Sequence, residues 1–179
     1  MIKIDAYDLA TYVNSQRSGP LLTILDEVRD YVFIKDVDGR FLFSKRSHQG
    51  HLGRSEAEIL GKTDFDLFPA RLAESFYASE THMFEMLTPV IRLQESIDSK
   101  GQKFYSTAIK MLISDQRGNV LGLIGTVHRI AMENKFDVEQ SKAHILSVLR
   151  FQPGITPSQL QAFEASLPNV LNQKSNGSA

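Results

Sequence analysis

Lys45, Arg46, His48 and His51 fall within one run of seven residues. Two cations and two imidazoles at that spacing suit an anionic ligand, such as a carboxylate, held in a partly polar pocket. The same run also suits a solvated loop that binds nothing, because charge runs usually face water. A metal held by His48 and His51 would lack a thiolate, and no acidic third ligand lies nearby in sequence. Paired acids occur at Asp36/Asp38 and Asp64/Asp66. For Asp36 and Asp38 a turn is sufficient explanation, since Asp side chains cap their own backbone. No Ser/His/Asp set and no phosphate loop with a lysine stands out, so the chain does not read as an enzyme and no catalytic residue is assigned.

An apolar set, Val32, Ile34, Phe43, Phe65, Phe68, Phe76, Met83, Ile91, Ile109 and Ile124, has the composition of a small-molecule pocket wall. The same residues would serve a filled core between a sheet and a helix. From this set and the basic run, the expected ligand contacts are Ile34, Phe43, Lys45, His48, Phe65, Phe76, Met83, Ile109 and Ile124. The ligand would be a small organic anion or an apolar molecule.

The elements that must position these groups follow from periodicity. Asp8 to Asn14 has weak helical character, and Ser18-Gly19-Pro20 breaks it. Leu21, Leu22, Ile24, Leu25 and Val28 recur at helical spacing. Tyr31–Ile34 and Phe41–Phe43 flank an Asp/Gly turn and read as a hairpin. Lys45–Gly53 turns polar and helix-poor. Ser55 stands three residues before Glu58, the spacing of a capping box, and opens a short helix ending at Gly61. Ala70–Leu87 is the longest helix, with Leu72, Phe76, Met83 and Leu87 on one face. Strands follow over Val90–Ile97, Phe104–Ile113 and Val120–Ile130. The last is apolar on both sides, which implies a sheet covered on both faces. Gly122 and Gly125 allow a close approach of backbone or ligand. Met132–Arg150 is helical, with Val138, Ile145, Val148 and Leu149 on one stripe. A last helix runs to about Leu167, and 169–179 reads as a disordered tail.

Composition narrows the function classes. The 179 residues include no cysteine and carry a net charge of −1, with 42% hydrophobic and 23% charged residues. Disulfides, cysteine nucleophiles and thiolate metal sites are excluded. The balance disfavours nucleic acid as the main partner. The segment Pro157–Leu167 follows a turn, but it offers Gln159, Gln161 and Glu164 and no cation for phosphates. No apolar run spans a bilayer. Met1–Ala10 lacks a secretory signal pattern, so the chain reads as cytoplasmic.

Three stretches resemble one family, in order. Phe33-Ile34-Lys35-Asp36-Val37-Asp38-Gly39-Arg40-Phe41-Leu42 resembles the opening hairpin of a PAS domain. Leu60-Gly61-Lys62-Thr63-Asp64-Phe65-Asp66-Leu67-Phe68-Pro69 resembles its connector, and Asp115–Gly125 its closing hairpin. The likeness covers about 25–131. It implies an α+β fold with a five-stranded antiparallel sheet and helices on one face, over 30–131. Flanking helices would occupy 1–29 and 132–168. It implies a ligand between sheet and long helix, and a sensor that signals through flanking helices to an effector domain or partner protein. The expected state is a homodimer through Leu21, Leu25, Val28, Ile145 and Leu149. A ligand-free interaction module, or the sensor part of a longer transcription regulator or kinase, is the alternative.

The chain departs from the family pattern in places. Lys45, His48 and His51 fall where the family often has Asn, Phe and Leu, and Arg129-Ile130-Ala131 replaces its Asp-Ile-Thr. The cofactor stays unassigned. Some PAS domains bind haem through a helical His, but His82 lies about 120° around the helix from Phe76, away from the pocket face. Flavin photochemistry of the family's cysteine-linked kind needs the missing cysteine.

Overall fold

The computed structural model describes residues 1–17 and 30–130, with isolated positions at 143, 146, 156–158, 161 and 165. The chain divides into two units, Met1–Arg129 and Ile130–Ala179. The expected helix with Leu21, Leu25 and Val28, the stripe with Ile145 and Leu149, and the tail lie outside the described residues.

In the first unit β1 (Ile2–Lys3) and α1 (Leu9–Ser15) lead to β2 (Tyr31–Asp36) and β3 (Phe41–Ser44). Four helices follow: α2 (Arg46–Leu52), α3 (Glu56–Ile59), α4 (Asp64–Leu67) and α5 (Ala70–Met86). Strands β4 (Val90–Ile97), β5 (Lys103–Ser114) and β6 (Val120–Arg129) close the unit. The sheet runs β1-β5-β6-β2-β3, with β4 also on β5. It has six strands, one more than expected, because β1 pairs parallel with Ile113 and Ser114. A two-residue strand leaves no period in sequence. β4 pairs with Lys103–Lys110, so β4 and β1 share one edge of β5 while β6 holds the other.

Local chemistry fixes the short elements. Asp8 caps α1 by accepting from the Thr11 amide at 2.8 Å. Ser55/Glu58 and Thr63/Asp66 form capping boxes that start α3 and α4. The Asp36 carboxylate accepts from the amides of Asp38 and Arg40, as the turn reading requires. The run Lys45–Gly53, expected to be helix-poor, contains α2. Tertiary bonds offset its weak propensity: Gln49 Nε2 donates to the Ser44 carbonyl at 2.6 Å, and His48 Nδ1 meets Ser44 Oγ at 2.9 Å. Leu87 leaves the α5 stripe: it ends the helix in the left-handed region (φ 52°) and is exposed.

Each face of the sheet has its own core. On the outer face Leu9 and Val13 of α1 pack with Ile4, Val32, Ile34, Phe43 and Ile113. On the inner face Phe33, Phe41, Leu112 and Leu123 pack with Ile59 of α3 and Met83 of α5. Coverage of both faces agrees with the apolar character of β6. The helix on the outer face, α1, belongs to the expected N-terminal flanking region, and Ile59 of α3 and Met83 of α5 pack on the inner face. Among the described residues no helix is long and apolar enough to cross a membrane.

Candidate functional site

The inner face holds a cavity between sheet and α5. Its free space is about 30 Å³, within a partly open concavity of about 430 Å³ that includes solvent at its mouth. A water molecule needs roughly 10–15 Å³ on that first measure, so the space holds about two. Aromatic rings of Tyr31, Phe33, Phe41, Phe68 and Phe76 form much of the wall. Lys35, Asp64 and Lys110 also line it, with His48, His51, Gln94, Ser96 and Val127.

The charged groups form a buried chain of alternating sign. Lys35 Nζ donates to Asp64 Oδ2 at 2.5 Å and to Glu80 Oε1 at 2.9 Å. Lys110 Nζ donates to that same Glu80 oxygen at 2.5 Å. All four side chains are buried. Each comes from a different element. A bulge between Ile34 and Lys35 sets Lys35 opposite Phe41 rather than Leu42. The Phe41 amide donates to the Lys62 carbonyl, which docks the connector and places Asp64 at the start of α4. Glu80 lies on the buried stripe of α5 between Phe76 and Met83. Arg92 of β4 fastens α5 to the sheet by donating to the Ser75 carbonyl and hydroxyl. Aromatic faces add to the holding of the ammonium groups: Lys35 Nζ is 4.7 Å from the Phe41 centroid and Lys110 Nζ 5.5 Å from that of Phe76.

The middle and the ends of this chain differ electrostatically. Burial opposes the charge on Lys35, but two carboxylates more than restore it and hold its pKa above the ordinary value. Burial likewise raises Glu80, and two lysines outweigh it, so its pKa lies low. Lys110 has one carboxylate partner and a like charge nearby. Burial prevails there and its pKa is lowered. Asp64 is the mirror case, raised by burial despite Lys35. The two ends, Asp64 and Lys110, both line the cavity, whereas Glu80 does not. A ligand therefore meets both ends of the chain, and also Lys35, whose charge is firmly held.

The imidazoles contribute no cation. Burial, with His51 and Lys35 beside it, lowers the His48 pKa to about 3. Burial also lowers His51, whose ring stacks on Tyr31 at 4.7 Å. Ser44 and His48 have the contact of a nucleophile and base, but Ser44 is buried and does not line the cavity. Among the described residues no three His, Asp or Glu side chains converge as a metal cage.

Of the residues expected at the ligand, His48 and Phe76 line the cavity. Ile34, Phe43 and Ile124 belong instead to the outer core, and Ile109, next to the inward Lys110, shares their phase. Met83 is buried in the inner core without reaching the cavity. Lys45 is buried at the α2 N-cap, its amide donating to the Val32 carbonyl, and it does not line the cavity. Phe65 is half exposed, edge-on to Tyr77. Arg46 and His82 are exposed. The positive charge at the site comes from Lys35 and Lys110. Their signal was present in sequence: a lone lysine inside each of two apolar strands, and a glutamate on the apolar stripe of the long helix.

Comparison with known proteins places this architecture. A family model described as the PAS fold matches residues 25–135. A diguanylate cyclase of Vibrio cholerae serotype O1 is 28% identical over 104 residues, 57% of this chain and 32% of that protein. The chain thus matches about a third of the length of that curated relative. The PAS domain of a Colwellia psychrerythraea protein superposes with a TM-score of 0.54 at 15% identity, covering 66% of this chain and 97% of that one. A phage VqmA–DPO complex superposes at 0.59 with 18% identity, covering 90% and 78%. At these identities the solved structures show the shared fold.

Proposed function

This chain belongs to the PAS fold family, and we propose that it is a sensor whose inner cavity takes a small polar molecule and whose flanking segments pass on the response. The observation that carries this reading is the composition of the cavity wall. Charged Lys35, Asp64 and Lys110 face a cavity among aromatic rings, where a filled core would hold aliphatic groups. Burying charges is a poor way to stabilise a fold, which favours a binding role for them. The ligand-bound phage VqmA of similar fold is consistent with a cavity that can be occupied.

In this reading ligand binding selects between two packings of α4 and α5 against the sheet, because Asp64 and Glu80 reach the lysines from those helices. The chain acts as a homodimer, with Leu21, Leu25, Val28, Ile145 and Leu149 as the seam, and its role is regulatory rather than catalytic. The partial match to a diguanylate cyclase supports an effector supplied by another segment or another protein. Leu25→Glu is then expected to give a monomer by light scattering, and an unchanged dimer would remove this seam.

One observation favours a second reading. The free space of about 30 Å³ suits two waters better than an organic ligand. The module would then be ligand-free, with the charge chain as a structural device. Native mass spectrometry of the whole chain as purified separates the two. The sensor reading predicts a bound species of a few hundred daltons or less, released on denaturation. A bare chain mass, unchanged after incubation with the small-molecule fraction of the producing cells, supports the second.

A further inference from the structure

We propose that Gln94 is the specificity-determining residue of the cavity, and that its ligand is a small flat molecule presenting an N–H or O–H donor at the end remote from Lys110. The proposal rests on the sensor reading and names the chemistry that reading leaves open.

Gln94 is 8% exposed, lines the cavity, and its Oε1 has no hydrogen-bond partner. Buried polar atoms without partners are rare, and each is costly to keep. Ser114 Oγ is the other such atom among the described residues, and it does not line the cavity. Several other polar groups of the wall are engaged within the protein: Lys35 and Lys110 donate to carboxylates, His48 Nδ1 meets Ser44 Oγ, and Ser96 Oγ meets Ser106 Oγ at 3.0 Å. The carboxamide oxygen of Gln94 is a fully buried acceptor of the wall that a ligand donor would satisfy.

Sheet register gives the polarity of the site. Gln94 pairs with Ser106, and Lys110 stands four residues further along β5, about 13 Å of strand away. Ala108 and Val127 pair on the intervening rung and offer no side-chain hydrogen bond, while Arg92, the β4 member of that rung, donates to Ser75 and does not line the cavity. The cavity therefore has a charged end at Lys110 and Asp64, an apolar middle, and a neutral acceptor at Gln94. The rings of Phe33 and Phe76 favour a flat occupant.

Phenol, anisole and toluene test this in the full chain, with dissociation constants from methyl NMR titration. Phenol carries the donor, anisole keeps the oxygen but not the donor, and toluene has neither. Wild-type protein should bind phenol about tenfold more tightly than anisole or toluene, the effect of one matched hydrogen bond. In Gln94→Leu the three should fall within about twofold, with toluene no weaker than before. The wild-type comparison stands alone should the variant fail to fold. Equal binding of phenol and anisole by wild type overturns the donor requirement while leaving the cavity reading intact. Selectivity that survives Gln94→Leu places the reader elsewhere. No binding of any probe overturns the cavity reading and this proposal with it.

Discussion

The two faces of the sheet solve the same packing problem with opposite materials. The outer face meets α1 with Val32, Ile34, Phe43 and Ile113, an apolar layer that excludes water. The inner face carries an apolar core of its own, but beside it stand Lys35, Lys110, Asp64 and Glu80, all buried. Both surfaces come from the same strands, one residue out of phase. An aliphatic layer stabilises through area alone, whereas a buried charge set breaks even only when every member is paired. The inner face thus gives up stability for a polar cavity. That difference is what the proposed sensor reading rests on.

The comparison is broken most severely at Glu80. Glu80→Ala leaves Lys110 buried without a carboxylate partner and Lys35 with Asp64 alone. A loss of about 3–5 kcal/mol is expected in urea unfolding, as for one-sided removal of a buried pair. Replacing Lys35, Asp64, Glu80 and Lys110 together by Met or Leu should cost little or even stabilise, while abolishing ligand binding. That variant would turn the inner face into a second outer face.

Acid should weaken the inner face next. His48 is held neutral by burial, with its pKa near 3 when folded against an ordinary value of 6.5. Above pH 6.5 both states are neutral and nothing is lost. Below it the unfolded chain takes up a proton that the folded chain refuses, so stability falls by about 1.4 kcal/mol per pH unit down to pH 3. Thermal unfolding between pH 7 and 4 should show a drop of roughly 3 kcal/mol from this group, and His48→Phe should flatten that part of the profile.

Gly125→Ala has a smaller effect. A Cβ there would lie 2.3 Å from the Phe33 ring, which rests on the glycine across the β2–β6 pair. The displaced ring should cost about 1–3 kcal/mol in chemical unfolding and shift ligand affinity as well. Phe65→Ala sharpens the contrast from outside the cavity. The residue is 51% exposed, so stability should change by about 0.5 kcal/mol or less and ligand affinity not at all.

These expectations also show what the sequence disclosed. Strand β4 has the bounds that its alternation predicts, and the Ser55/Glu58 box opens its helix as read. Those signals are local. Two physical effects separate the expected ligand contacts from the observed cavity wall. A lysine in a strand ordinarily faces water, so the pattern points to Ile34 and Ile109, whereas the fold turns Lys35 and Lys110 to the cavity. The rule fails where carboxylates arrive from α4 and α5, elements 29 and 45 residues away from Lys35. The bulge opposite Lys35 adds a second failure. It sends Phe41 inward and Phe43 outward, although simple alternation gives two residues that far apart the same face. Gly122 and Gly125 were legible as close approaches. A Cβ at Gly122 would meet the Lys35 carbonyl, and one at Gly125 the Phe33 ring.

Methyl NMR tests the division between the faces most directly. Val127 lines the cavity, while Ile34 and Ile124 report on the outer core. On adding the small-molecule fraction of the producing cells to methyl-labelled chain, the Val127 signals should shift and saturate while those of Ile34 and Ile124 stay in place. Shifts centred on Ile34 and Ile124 with Val127 unmoved would contradict the account.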